Sequence, residues 1–431
     1  MSLLLLGLTV VFLPLLIPSG PGNSAPVDGF ALAYLLVALL GLYRQRRSLQ
    51  VPAKAAWGLI VLGSGLALAT SADPPLGLLT FLVDLYLLVL LIVIASDLDR
   101  RERALRTVLT VWSAASLAWA VLLLGANLHL LHTGVERILL GQTFRDRIAS
   151  PSGNPNLAAS YLAVSCFVLL ASPWPASRVA RAAGVVVLLW AVDVTGSNGA
   201  LMGVAGGALV LAFGRLLRAG RTPRQRLGVV GAALLLAVVA ACVGLRLVGV
   251  PQVGLQQLDT IAASEQRGPF ANSLGRLNRS VRERLVLWES GWQHGGPRVL
   301  TGLGPGEAID VVVNAQGGHQ GLHNDAISYA IERGVLGLLG LLALYLALFG
   351  AGGVLLLAPG RGRDAYRGLA AAAVTNLLFS QSHETLHFRH VFVLFALVWV
   401  AARVVAERDR RAPDHATDPA APVAAAGVAH G

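Results

Sequence analysis

Charge is what this sequence has least of. Only 13% of its 431 residues are Asp, Glu, Lys or Arg, 55% are hydrophobic, and the mean hydropathy is +0.66. Soluble domains carry charge on about a quarter of their residues, so a soluble globular fold is excluded. Cysteine is also scarce. Cys166 and Cys242 both fall inside apolar runs, where they read as small buried hydrophobes and not as a disulfide. Alternating apolar and polar segments of about ten residues, the mark of a membrane β-barrel, are missing as well. No basic stretch precedes the apolar residues 1–18 and no clean cleavage site follows them. That favours a retained first helix over a cleaved signal peptide.

What the chain does have is a series of apolar runs approaching the roughly 20 residues that cross a bilayer. They lie at 1–18, 29–43, 54–71, 76–96, 105–126, 156–172, 179–195, 197–214, 227–248, 334–357, 366–382 and 390–406. Helices are the default spanning structure because each satisfies its own backbone. The expectation is an all-α polytopic membrane protein of about twelve transmembrane helices, with one large extracytoplasmic loop at 248–333 between helices 9 and 10.

The net charge is +11, from 34 basic and 23 acidic residues. In a soluble chain that excess would suggest nucleic acid. Here much of it sits in short loops, so it speaks of topology and no nucleic-acid partner is expected. Basic residues follow every even-numbered run, as with Arg44, Arg46 and Arg47, then Arg100, Arg101 and Arg103. The short loops after the first and third runs hold no Lys or Arg. Under the positive-inside rule both termini are cytoplasmic, and 127–155 and 248–333 lie outside. The Ala/Pro-rich end places a disordered cytoplasmic tail at 407–431. The GVAGG piece at 203–207 suits close helix packing.

Four polar constellations remain. In the first, Arg145 and Arg147 precede Asn154-Pro155-Asn156, a turn leading into a helix start. Interfacial arginines beside a capped helix explain it equally well. The second, DVTGSNGALMG, holds Asp193 near or within the membrane, where an ionisable side chain has a partner or a function. The third carries His383, Glu384, His387, Arg389 and His390. His383-Glu384-Thr385-Leu386-His387 matches H-E-x-x-H literally, so a membrane metalloprotease is a minor alternative, requiring the motif on a helix.

In the fourth, Arg276, Arg279, Arg282 and Arg284 run ahead of Leu285-Val286-Leu287-Trp288. A helix over 281–293 puts Arg284 and Trp288 on one face, the tryptophan anchoring at the interface. Arginine forks match phosphate oxygens, although anionic lipid head groups would attract the same cluster. Further on, His323-Asn324-Asp325 precedes an apolar run. His323 is a candidate base because it can be neutral near pH 7.

The order of several motifs then carries a resemblance. GNPNLAA (153–159), TGSNGAL (195–201), RLVLW (284–288), LTGLGPG (300–306) and GLHNDAISYAIERGVLGLLG (321–340) together resemble the O-antigen ligase/O-antigen polymerase family of membrane glycosyltransferases. The resemblance covers roughly residues 140–400 and marks 1–406 as a transmembrane glycosyltransferase-like domain. It implies an enzyme of the bacterial cytoplasmic membrane that works at the outer face. The donor would be an undecaprenyl-diphosphate-linked glycan and the acceptor a saccharide or glycolipid. The reaction would need no nucleotide, cofactor or metal, and membrane lipids and a chain-length regulator are candidate partners.

The resemblance further implies that Arg284 contacts the diphosphate and His323 serves as base. It gives Glu332 a supporting role. From the residues themselves, Arg147, Arg279, Arg282, Asn154, Asn156, Asn198 and Asn324 are candidates to bind the substrate or its diphosphate, with Asp193 in support. One position departs. Ser197-Asn198-Gly199-Ala200 stands where ligase-like members place an arginine, and Asn198 supplies hydrogen bonds but no charge. Arg147 is the candidate to compensate. A transporter or translocase of lipid-linked glycans is the alternative from another class.

Overall fold

Proline and turn residues decide where each apolar run stops being helix. The computed structural model describes residues 1–16, 24–128, 130, 152–216, 277–314, 317–357 and 366–411. Helix α1 (Ser2–Val11) stops ahead of Pro14. Helix α2 (Pro26–Arg44) starts on a proline, with the Asp28 carboxylate returning to the Ala25 N–H at 2.8 Å. Helix α3 (Lys54–Ala69) and helix α4 (Pro74–Leu98) are separated by a tight turn, and Asp73 caps α4 on Leu76 N–H at 3.1 Å. Then come α5 (Glu102–Asn127), α6 (Pro155–Ala171), α7 (Arg178–Val194) and α8 (Asn198–Leu216). After residue 276 follow α9 (Leu277–Gly295), a 3-10 turn at Gly296–Arg298, and the short helices α10 (Ala308–Val311) and α11 (Asp325–Glu332). The chain closes with α12 (Gly334–Leu357), α13 (Arg367–Phe379) and α14 (Arg389–Arg411).

The chain is all-α among the described residues, but the expectation of about twelve membrane-crossing helices does not hold. Five described helices are long and apolar enough to cross a membrane: α2, α4, α5, α12 and α14 as far as Arg408. The physical reason is length. Helix α13 has 13 residues and α3 has 16, which at 1.5 Å per residue reach about 20 and 24 Å, against about 30 Å of hydrocarbon. Apolar runs had hidden these ends. Ser380 and Ser382 turn their hydroxyls back onto Leu377 and Phe379 carbonyls and terminate α13. The run at 227–248 lies outside the described residues. Within 248–333, the described residues from 277 onward are no plain loop: they hold three helices, a 3-10 turn and connecting loops around a small core of their own.

Helix α14 is the centre of the bundle. It packs against α4, α5, α12 and α13, and Val391, Val393, Leu394 and Val398 have no exposed surface. Elsewhere the long helices turn apolar side chains outward, as with Leu36, Leu346 and Phe349. Faces of this kind fit a membrane protein. Gly203 and Gly207 of α8 rest on Thr375 of α13, the close packing that GVAGG suggested.

Among the described residues, the basic groups of Arg47, Arg403 and Arg408 meet the junction of α4 and α5 at one end. Arg47 donates to the carbonyls of Ser96 (3.0 Å) and Asp99 (3.1 Å), groups left over where α4 ends. Arg403 pairs with Asp99 at 3.1 Å, while Arg408 and Tyr366 both reach Glu102. The other ends of these helices carry the α3–α4 turn, the start of α11 and the segment 380–388. There Arg389 clamps Asp28 with two bonds of 2.6 and 2.7 Å, and the Tyr86 hydroxyl adds a third at 2.9 Å.

Candidate active site

The site is built on a clamp between two motifs. The loop LTGLGPG lies along the end of α11, with Leu303 N–H donating to Ile331 O (2.8 Å) and Gly304 N–H to Glu332 O (3.1 Å). Gly302 (φ +88°) and Gly334 (φ +66°) cross so closely that a Cβ on Gly302 would lie 2.8 Å from Gly334 N. Only glycine meets both the backbone angle and the space. The Glu307 carboxylate then accepts from Ala72 N–H (3.1 Å), Asp73 N–H (3.2 Å) and the Ser71 hydroxyl, tying the loop to the α3–α4 turn. Leu287, Leu303, Ala308, Val312, Leu322 and Ile331 fill the space beneath. Trp288 belongs to this framework. Its indole N–H donates to Leu322 O at 2.9 Å.

Leu322 is held so that His323 can be strained. His323 has φ +53°, a left-handed conformation that costs a side-chain-bearing residue about 1–2 kcal/mol. Its backbone N–H donates to Glu384 Oε1 at 3.0 Å. Asn324 next to it caps α11 on Ile327 N–H (3.0 Å) and donates to Gln381 O (3.1 Å). The ring is held on both sides: Nε2 lies 2.7 Å from Gln320 Nε2 and Nδ1 lies 2.9 Å from His383 Nδ1. Asn314 donates to Gln320 Oε1 at 3.3 Å, which turns the Gln320 amide nitrogen toward the ring. That arrangement assigns the His323 proton to Nδ1, donated to His383, and leaves the Nε2 lone pair to accept. Burial, with the nearby charge of Arg284, holds His323 down to about 4, so the ring is neutral at pH 7. Arg284 itself is half-buried on α9, one turn before Trp288, and its basicity is lowered by that burial. It forms no ion pair with a described residue.

On the far side, Asp325 pins the segment 380–388. It accepts from Thr385 N–H (2.8 Å), the Thr385 hydroxyl (2.7 Å) and Tyr345 (3.3 Å), and its own N–H donates to Ser380 O. Burial pushes its carboxyl up to about 6 even so. Arg333 spans Asp84 of α4 and Glu332, and it lies 4.3 Å above the Tyr329 ring. A cavity of about 190 Å³ opens between these groups, bordered by Asp84, Asp325, Glu332, Glu384 and His387. Burial and the charges of Glu332 and Asp325 lift Glu384 to about 8. Burial, then Arg389 and Arg333, press His387 down to about 4.

The model of the O-antigen ligase family matches residues 183–342. The matched segment runs from α7 into α12 and holds Asp193, Asn198, Arg284, His323, Asn324 and Glu332. It covers less than half of the chain and stops short of His383 and Glu384. No curated protein matches the chain.

The structure brings some of the sequence candidates together. Arg284, His323 and Asn324 converge, and Asn198 begins α8 beside Gly199, which packs directly on Ser382. Arg282 is half-buried on α9. Glu332 bonds Arg333 (3.0 Å) and Ala308 N–H (3.4 Å), and the carboxylate that reaches His323 is Glu384 instead. Asn154 is exposed and caps α6 on Asn156 N–H at 2.8 Å. Asp193 is half-buried at the end of α7. Arg147 and the side chain of Arg279 lie outside the described residues.

The zinc-protease alternative fails on geometry. Residues 383–387 form turns and not a helix, so His383 and His387 do not share a helical face, and His383 Nδ1 is engaged by His323. Among the described residues no group of three His, Cys, Asp or Glu is placed to hold a metal. Sequence reasoning missed Gln320, Asp84, Arg333 and Asp325. Only Asp84 carried a clear signal, an acid inside the apolar run PPLGLLTFLVDLYLL.

Proposed function

We propose that this chain transfers a glycan from an undecaprenyl-diphosphate-linked donor to a saccharide or glycolipid acceptor at the bacterial cytoplasmic membrane. The family match supports glycan transfer in general, and the donor, acceptor and residue roles are our reading. The observation that carries it is a neutral His323 with an accepting Nε2, next to a half-buried Arg284 that has no ion pair to a described residue. With the basic loops cytoplasmic, the site at the other end of the bundle faces away from the nucleotide pool. A lipid-borne diphosphate leaving group suits that side.

In the reaction the acceptor hydroxyl takes the place of the Gln320 amide at His323 Nε2 and gives that nitrogen its proton. The acceptor oxygen bonds to the glycosyl C1 as the bond from C1 to the diphosphate breaks. The electron pair leaves on the diphosphate, where Arg284 stabilises the growing charge, with Arg282 on the same helix as a second candidate. Protonating Nε2 makes the ring cationic, and its Nδ1–H bond to His383 holds it in place. A single displacement of this kind inverts the anomeric centre.

The test is transfer by the purified protein from a lipid-diphosphate oligosaccharide to a saccharide acceptor. His323→Ala is expected to lose about 10²–10⁴-fold in transfer, the usual worth of a general base, while still binding donor lipid. Arg284→Ala is expected to weaken both. Normal transfer by His323→Ala would remove the base from this scheme.

A further inference from the structure

We infer that the cavity between α4, α11 and the segment 380–388 is the acceptor subsite, taking one neutral or amine-bearing sugar unit whose hydroxyl Glu384 holds beside His323. The inference rests on the glycan-transfer reading and adds the chemical class of the acceptor. At about 190 Å³ the cavity is smaller than the roughly 300–1,000 Å³ of pockets for drug-sized ligands. A monosaccharide unit suits it and a lipid-linked oligosaccharide does not.

Its lining says what it would hold. Ser328 and Tyr329, two hydroxyl-bearing residues each 4% exposed, border the cavity. Carboxylates from Asp84, Glu332 and Glu384 stand beside them. Hydroxyls that donate and accept, next to carboxylates that accept, complement a polyol.

Charge narrows the class further. Arg333 is the cation of the lining, and Asp84 and Glu332 already occupy both of its terminal nitrogens. A phosphate or uronate would meet Asp325, ionised at pH 7, beside the Asp84–Arg333–Glu332 cluster, with no free cation to offset it, which sends the donor diphosphate to the Arg284 side. Gly321 keeps the cavity open above Glu384, since a Cβ there would lie 3.2 and 3.3 Å from the two carboxylate oxygens. Glu384 Oε1 also accepts from the His323 backbone N–H, so this wall of the cavity is tied to the residue that carries the candidate base.

The experiment is saturation-transfer NMR on the full chain in detergent, with methyl glycosides of glucose and galactose, of glucosamine and of glucuronic acid. The neutral and amine-bearing glycosides are expected to bind and the glucuronide is not. Gly321→Ala, which removes no polar group, and Glu384→Gln are each expected to weaken binding at least tenfold. In the transfer assay both should raise the acceptor KM and leave donor binding unchanged. Equal binding of the glucuronide, no binding of any glycoside, or unchanged binding by Gly321→Ala would each overturn the subsite. A wild-type chain that binds neutral glycosides but transfers nothing would refute the transferase reading and leave the subsite standing. A chain that transfers with an acceptor KM indifferent to both substitutions would do the reverse.

Discussion

Asp325→Ala and Asp325→Asn should separate two opposed effects at one buried carboxylate. Asp325 takes two short bonds from Thr385, at 2.8 and 2.7 Å. Hydrogen bonds to a charged group contribute about 1.5–3 kcal/mol each, and the alanine variant also strands the Thr385 N–H. Against that, burial has raised the carboxyl from 3.8 to about 6, so keeping it ionised costs roughly 3 kcal/mol at pH 7. The net for Asp325→Ala is a loss of about 2–4 kcal/mol. Asparagine retains an acceptor without the buried charge, and its cost should stay within about 1 kcal/mol. The sign of the pH effect follows from the same shift. Folded Asp325 keeps its proton up to about pH 6 and the unfolded chain releases it near 3.8. Its contribution therefore falls as pH rises through that window and is level above it. Denaturant titration in mixed micelles at pH 4.5, 6 and 7.5 measures both quantities. The reasoning fails if Asp325→Ala costs under about 1 kcal/mol, or if Asp325→Asn keeps the wild-type pH slope.

Two further outcomes are expected. The pH profile of transfer should hold from neutrality down to about pH 5 and fall through about 4 as His323 protonates. Because Arg284 helps hold that value down, Arg284→Gln should move the acid limb upward, and an unmoved limb would remove Arg284 from the neighbourhood of the base. Arg333→Met leaves Asp84 and Glu332 as uncompensated buried acids and should cost about 3–5 kcal/mol. Adding Asp84→Asn to it should restore part of the loss, measured by thermal unfolding in detergent.

Much of the active region was legible in the sequence for identifiable reasons. The motifs LTGLGPG and GLHNDAISYAIERGVLGLLG and the Arg284–Trp288 spacing are local features, and local features survive in a string of letters. The left-handed glycines and the Asn324 cap within them were seen only in the structure. The helix count was not legible, because a window of apolar residues measures composition and not where the backbone turns. Ser380 to Ser382 end α13 by hydroxyl-to-carbonyl bonds that hydropathy does not register. The bond from the Trp288 indole to Leu322 O, across 34 positions, was not legible either.

By itself, the sequence determined that this is an apolar, helical, membrane-type chain with much of its basic charge in short loops. It also marked a histidine and an arginine in one long polar segment as candidates for chemistry. Composition and short-range spacing carry that information, since burial in lipid and helix capping act residue by residue. Only the tertiary structure decided which groups meet. His383 and His323 are 60 positions apart, and Arg333 reaches back to Asp84 across 249. Contacts of that separation depend on how helices pack, and no local pattern records them. The same packing turned the HExxH segment from a metal motif into a wall of the site, with Glu384 bonded to the backbone of the candidate base.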